Sequence, residues 1–188
     1  MKTVLLSLLI LSINGLINAQ ENPLEQLSHY IGTWGPPPGD PIIERDPKLK
    51  DLKVIDFEWG VDKRVIWSKT GIYPDGEEAV VFSEGMITYN PTSKKLEWLE
   101  YQIMNEILFE GEYSVLEGNK VQRIYTVYYA EGYKEIPYPE LEGWTRKFKE
   151  TFIPTSDDGI DWITEAWIDG KWVEHGQRGV DFKAVRDK

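Results

Sequence analysis

Five residues at every second position of the segment GWTRKFKETFI constrain this chain most: Trp144, Arg146, Phe148, Glu150 and Phe152. In a β-strand, alternate side chains share one face. The stripe therefore sets three aromatic rings beside a cation and an anion. An apolar stripe normally turns to the core, where a charge is costly without a partner. The same pattern returns in Val121, Arg123, Tyr125, Val127 and Tyr129. Two strands that aim arginine among aromatic rings predict a β-barrel with a partly polar interior, which suits a binding cavity better than a solid core.

The remaining sequence supports an all-β reading. From Lys53 onward, apolar and polar residues alternate in short runs separated by turn residues. Strands are predicted at Val54–Trp59, Lys63–Lys69, Ala79–Tyr89, Leu96–Met104, Ile107–Leu116 and Val121–Ala130. Trp144–Ile153, Ile160–Ile168 and Val180–Val185 follow, with Lys171-Trp172-Val173 after an Asp169-Gly170 turn. Asn90-Pro91-Thr92-Ser93 and Glu117-Gly118-Asn119 are further turn signals. Nine or ten strands without helices between them predict one antiparallel up-and-down barrel. A short helix is expected over Asn22–Tyr30, with Asn22 as N-cap and Pro23 in the first turn. Gly35 to Pro47 is rich in proline, which cannot donate to a ladder.

Met1 to Ala19 resembles a secretory signal peptide: basic Lys2, an apolar stretch from Val4 to Ile13, and a site ending in Ala19. The domain is then expected to run from Gln20 to Lys188, secreted or periplasmic, with no membrane insertion after cleavage. The chain has no cysteine, which excludes disulfides, thiol catalysis and a lipid-modified cysteine anchor. A net charge of −11 without a dense Lys/Arg run argues against nucleic acid as a partner.

Leu24-x-x-Leu27, Ile31-Gly32-Thr33-Trp34 and the later Arg146-Lys147-Phe148, set in an antiparallel series, resemble the calycin superfamily. The nearest subgroup is the lipocalin-like and nitrobindin-like bacterial barrels. The resemblance implies that Trp34 packs beneath the barrel as a structural plug. Haem-binding nitrobindins carry a proximal histidine on the final strand. Here Gly179 stands near that position and His175 lies four residues earlier, so no cofactor is expected.

Arg123 and Arg146 are the sharpest candidates, because a guanidinium can hold a carboxylate through two hydrogen bonds. Tyr113 and Tyr125 would add hydroxyls, while Trp144, Phe148 and Phe152 line the apolar part. The expected partner is a small hydrophobic or amphipathic anion. Internal pairing is the plainer alternative, Arg146 with Glu150 or Arg123 with Glu100. An enzyme on the same interior, using Arg146, Glu150 and a tyrosine, is a second reading, and a carbohydrate or protein interaction module a third. Glu84, Glu100, Glu150 and Glu165 raise the question of a carboxylate pair. No Gly-x-Ser-x-Gly elbow occurs. His29 and His175, the only histidines, are expected to be exposed, and no metal site is expected.

Overall fold

The computed structural model describes residues 22–35, 55–72, 80–104, 106–129, 147–156, 159–175 and 179–183. Met1 to Ala19, Trp144, Arg146 and the proline-rich loop lie outside them.

Eleven strands are present among the described residues: β1 (Gly32–Gly35), β2 (Ile55–Trp59), β3 (Val65–Ile72), β4 (Val80–Asn90), β5 (Lys95–Gln102), β6 (Ile107–Val115), β7 (Val121–Tyr129), β8 (Lys147–Ser156), β9 (Gly159–Ile168), β10 (Lys171–Glu174) and β11 (Gly179–Lys183). They form one sheet in the order β10-β9-β11-β1-β2-β3-β4-β5-β6-β7-β8, and every described pairing is antiparallel. A further ladder joins β8 to β9. β10 meets Glu165 to Ile168 of β9, and β11 meets Gly159 to Trp162.

Local chemistry explains the hairpins. Asp169 and Gly170, both at positive φ (50° and 79°), make the two-residue turn between β9 and β10. The Asn90 side chain accepts from the backbone N–H of Thr92 (2.9 Å) and Ser93 (3.2 Å), closing the β4–β5 connection. Two strands differ from expectation. Gly32–Gly35, where no strand was expected, is a strand between β2 and β11. After β10 the chain returns to the edge of β9, so the simple up-and-down order ends there.

Pro23–Tyr30 is wound as a 3-10 helix, tighter than the helix expected. Asn22 caps it, accepting from Leu24 N at 3.2 Å, and its amide donates to the Lys63 carbonyl at 2.7 Å. The second bond ties the helix start to the β2–β3 turn. Leu24, Leu27 and Tyr30 are buried. Tyr30 Oη donates to the Asn119 carbonyl at 3.0 Å, and Trp34 Nε1 donates to the Tyr30 carbonyl at 2.8 Å. These bonds dock the helix against one end of the sheet's inner face.

Alternation along each strand separates the two faces. Ile66, Ile87, Trp98, Tyr113, Val121, Tyr125 and Phe148 belong to one buried cluster. Between the helix and this cluster the leftover space is small: a cavity of about 30 Å³ lined by Leu27, Tyr30, Trp34, Ile66, Val121 and Phe152. That is room for about one or two waters. The outer face shows Trp67, Leu99, Tyr101 and Tyr128, each more than a third exposed. Among the described residues no helix is long and apolar enough to cross a membrane.

Candidate functional site

Three neighbouring ladders build the site. On β7, Arg123 stands opposite Tyr113 of β6 and opposite Glu150 of β8. Tyr125 stands opposite Gly111 on one side and Phe148 on the other. The missing side chain at Gly111 is what lets the Tyr125 ring fit. A Cβ there would lie 2.6 Å from Tyr125 Cβ and 2.7 Å from Tyr125 Cα. Trp98 of β5, opposite Gly111, then reaches the Tyr125 ring edge-on at 5.3 Å.

Arg123 Nε donates to Glu150 Oε2 in a very short ion pair. Its Nη1 donates to Tyr113 Oη at 3.3 Å. Tyr125 Oη donates to Glu150 Oε1 at 3.0 Å. The guanidinium carbon lies 4.3 Å from the centre of the Trp98 ring, and 5.3 and 5.4 Å from those of Tyr125 and Phe152. Cation–π attraction strengthens when the pair is removed from water. Only 18% of the Arg123 side chain and 12% of the Glu150 side chain is exposed, so this pair sits in a weakly screened environment.

The protonation states follow from those contacts. Burial works against the charge on Arg123, but the Glu150 carboxylate, helped by Tyr113, Tyr125 and Glu100, outweighs it and holds the guanidinium proton more tightly than usual. Burial raises the Tyr113 hydroxyl, with Arg123 opposing the rise. Burial and then the Glu150 charge raise Tyr125 well above the ordinary phenol value. Both phenols therefore stay protonated at neutral pH, as hydrogen-bond donors.

Several donors are unspent. Of five guanidinium N–H groups, two are used by the bonds above, leaving three without a partner among the described residues. The indole N–H of Trp98, a residue only 3% exposed, has no partner either, nor does that of Trp162. Buried donors are normally satisfied, so the two unpartnered indoles are informative.

A second polar group lies one inner position along β5. Glu100 stands opposite Gly85 of β4 and Phe109 of β6. Its carboxylate accepts from Ser83 Oγ at 2.6 Å and, at the limit of contact, from Ser68 Oγ at 3.5 Å. Both serines are buried. The backbone N–H of His175 donates to the carbonyl of Thr164 on β9 at 2.8 Å. The imidazole lies 6.3 Å from the Phe148 ring.

Of the residues singled out from the sequence, Tyr113, Arg123, Tyr125, Phe148 and Glu150 come together here, with Phe152 beside them. Arg146 and Trp144 lie outside the described residues. The expected pairing of Arg123 with Glu100 is replaced by pairing with Glu150, because Glu150 is the directly opposed residue and Glu100 faces Phe109. Glu84 and Glu165 point outward and pair with Lys69 (3.4 Å) and Lys149 (2.5 Å). His29 and His175 are half-buried rather than exposed, and the Nε2 of each is shielded from solvent. Ser68, Ser83 and His175 were not anticipated. The only sequence signal for them was the period of two continuing through Ile66-Trp67-Ser68 and Val173-Glu174-His175. No group of three or more Asp, Glu or His that could hold a metal occurs among the described residues.

No protein-family model matches this chain, and no curated protein is significantly similar to it.

Proposed function

We propose that this protein is an exported small-molecule-binding barrel whose interior holds an apolar ligand by an acidic head group. Closure of the sheet is part of the proposal: β9 bonds β8 along one edge and β11 along the other, and β11 bonds β1. A sheet closed on itself has no free edge to aggregate, which matters for so many apolar strands. The lipocalin-like resemblance of the Gly32-Thr33-Trp34 segment and the signal-like Met1 to Ala19 belong to the same reading.

One observation carries the ligand class. Arg123 is held among aromatic rings with three N–H donors unspent among the described residues, and a protonated Tyr113 beside it. A carboxylate would satisfy those donors through charge-assisted bonds. Tyr125, Phe148 and Phe109 would cover its apolar body. The ligand would sit on the side of Arg123 away from the helix, because the helix side is nearly filled.

Calorimetric titration tests this with hydrocinnamate against hydrocinnamyl alcohol, and dodecanoate against dodecanol. An acid should bind at least tenfold tighter than its alcohol. That preference should vanish in the Arg123→Gln/Glu150→Gln double variant, which removes both members of the ion pair and strands neither. Acids and alcohols binding alike, no acid binding at all, or a preference that survives in the double variant would refute the head-group role.

His175 favours a second reading, an enzyme of the isomerase, lyase or hydrolase kind. It brings an imidazole to the strand position beside Thr164, whose own cross-strand neighbour is Glu150. An imidazole two strands from a paired carboxylate would offer a general acid–base group for catalysis.

A further inference from the structure

Among the described residues the interior charges do not balance. Arg123 and Glu150 cancel, being paired with each other. Glu100 is left over. It has no cationic partner among the described residues, and its two hydrogen bonds come from neutral hydroxyls, Ser83 and Ser68. A carboxylate has about four acceptor positions, so roughly half of its capacity remains. Inside a protein an uncompensated carboxylate is costly, and hydroxyl donors offset that only in part.

The placement of Glu100 is fixed by packing. Gly85 faces it across the β4–β5 ladder, and a Cβ on Gly85 would lie 2.8 Å from both Glu100 Cβ and Ser68 Oγ. The glycine is what admits the Glu100 stem, and the serines hold its carboxylate in one orientation. Trp98, the ring beneath Arg123, is the preceding inner residue of the same strand. Glu100 is also among the groups whose charge strengthens Arg123's hold on its proton. A guanidinium with spare donors and a carboxylate without a cationic partner among the described residues thus face the same side of the sheet, the guanidinium over the Trp98 ring and the carboxylate at the next inward position of the same strand as Trp98. The single carboxylate makes a poor metal site, whereas an ammonium group with three donors matches its free lone pairs.

Building on the proposed head-group site, we infer that the ligand is a zwitterion: a small amino acid-like molecule with an apolar side chain, its carboxylate on Arg123 and Tyr113 and its ammonium group on Glu100. Glu100 then acts as the specificity determinant between amino acids and simple acids.

Three ligands sharing one phenyl body separate the possibilities in calorimetry on the purified protein: phenylalanine, hydrocinnamate, which lacks the ammonium, and phenethylamine, which lacks the carboxylate. Phenylalanine should bind about tenfold tighter than hydrocinnamate, and phenethylamine should bind weakly. In Glu100→Gln, an isosteric change that keeps an acceptor for Ser83, phenylalanine should lose that advantage. Hydrocinnamate should bind more tightly, because a repelling charge is gone. The far-ultraviolet circular dichroism and thermal midpoint of the variant establish that it is folded. Hydrocinnamate bound as well as phenylalanine by the unaltered protein would overturn the zwitterion and leave the acidic-ligand reading standing. A phenylalanine preference that survives Glu100→Gln would overturn the role of Glu100. Failure of both carboxylates to bind would overturn this inference together with the reading beneath it.

Discussion

Replacing Arg123 with methionine should destabilise the fold far more than replacing Arg123 and Glu150 together. The single change removes the ion pair, the 3.3 Å bond to Tyr113 and the stacking 4.3 Å above Trp98. It leaves the Glu150 carboxylate 12% exposed, with Tyr125 at 3.0 Å as its remaining hydrogen-bond donor. Breaking one side of a buried pair costs about 3–5 kcal/mol, chiefly through the charge left behind. In the Arg123→Met/Glu150→Gln protein no charge is stranded, and methionine covers much of the same aromatic surface. Its net loss should be about 1–2 kcal/mol, since buried pairs contribute little over a neutral replacement. Urea unfolding of the four proteins in a double-mutant cycle reads the coupling directly. The exposed Lys69–Glu84 pair, both side chains about half exposed, is the internal control and should couple by less than about 1 kcal/mol. Additive effects at Arg123 and Glu150, or a single-variant loss below about 1 kcal/mol, would refute the claim that this pair is desolvated and mutually dependent.

Two further outcomes follow from the same interior. Tyr30, Tyr113 and Tyr125 all have hydroxyls raised above the ordinary phenol value, mainly by burial, so above pH about 10 the unfolded chain loses protons that the folded chain keeps. Stability contributed by these groups is complete below that pH and falls as pH rises beyond it, by up to about 4 kcal/mol per pH unit if all three stay protonated; a spectrophotometric titration in which all ten tyrosines ionise together before unfolding would contradict this. Gly111→Ala should cost about 1–3 kcal/mol in thermal or urea unfolding, because its methyl would meet the Tyr125 backbone at 2.7 Å and cannot push it aside, and a neutral effect would mean that β6 and β7 are less closely apposed than described.

Which residues face inward was legible wherever a strand was long and its alternation clean. Val121, Tyr125, Val127 and Phe148 are buried, Arg123, Glu150 and Phe152 partly so, and these alternate positions deliver Arg123, Tyr125 and Glu150 to one face. Partner choice was less legible, because it depends on register. Register is set by turn geometry and by which stripe must be buried, properties of two strands at once. The sequence set Arg123 against Glu100 and Arg146 against Glu150; the pairing of β7 with β8 gives Glu150 to Arg123 instead. The strand at Gly32–Gly35 was hidden for a different reason. It has four residues, two of them glycine, and a low strand propensity. It is a strand because β2 and β11, distant in sequence, supply its hydrogen bonds.

The same distinction explains why the polar interior was only half visible. A charged residue inside an aromatic stripe announces itself, since its position is costly and therefore improbable without a purpose. Arg123 and Glu150 were found in that way. Serines carry no such signal, being common on either face of a strand. Ser68 and Ser83 acquire meaning only when β3, β4 and β5 are paired, which sets both hydroxyls on the Glu100 carboxylate. Glu100 looked like a partner for Arg123 as long as the sequence was read one strand at a time. Paired strands give that partner to Glu150 and leave Glu100, among the described residues, supported by hydroxyls alone. The placement of that carboxylate is thus a property of the assembled sheet, and the proposed preference for a ligand with a second, positive group rests on it.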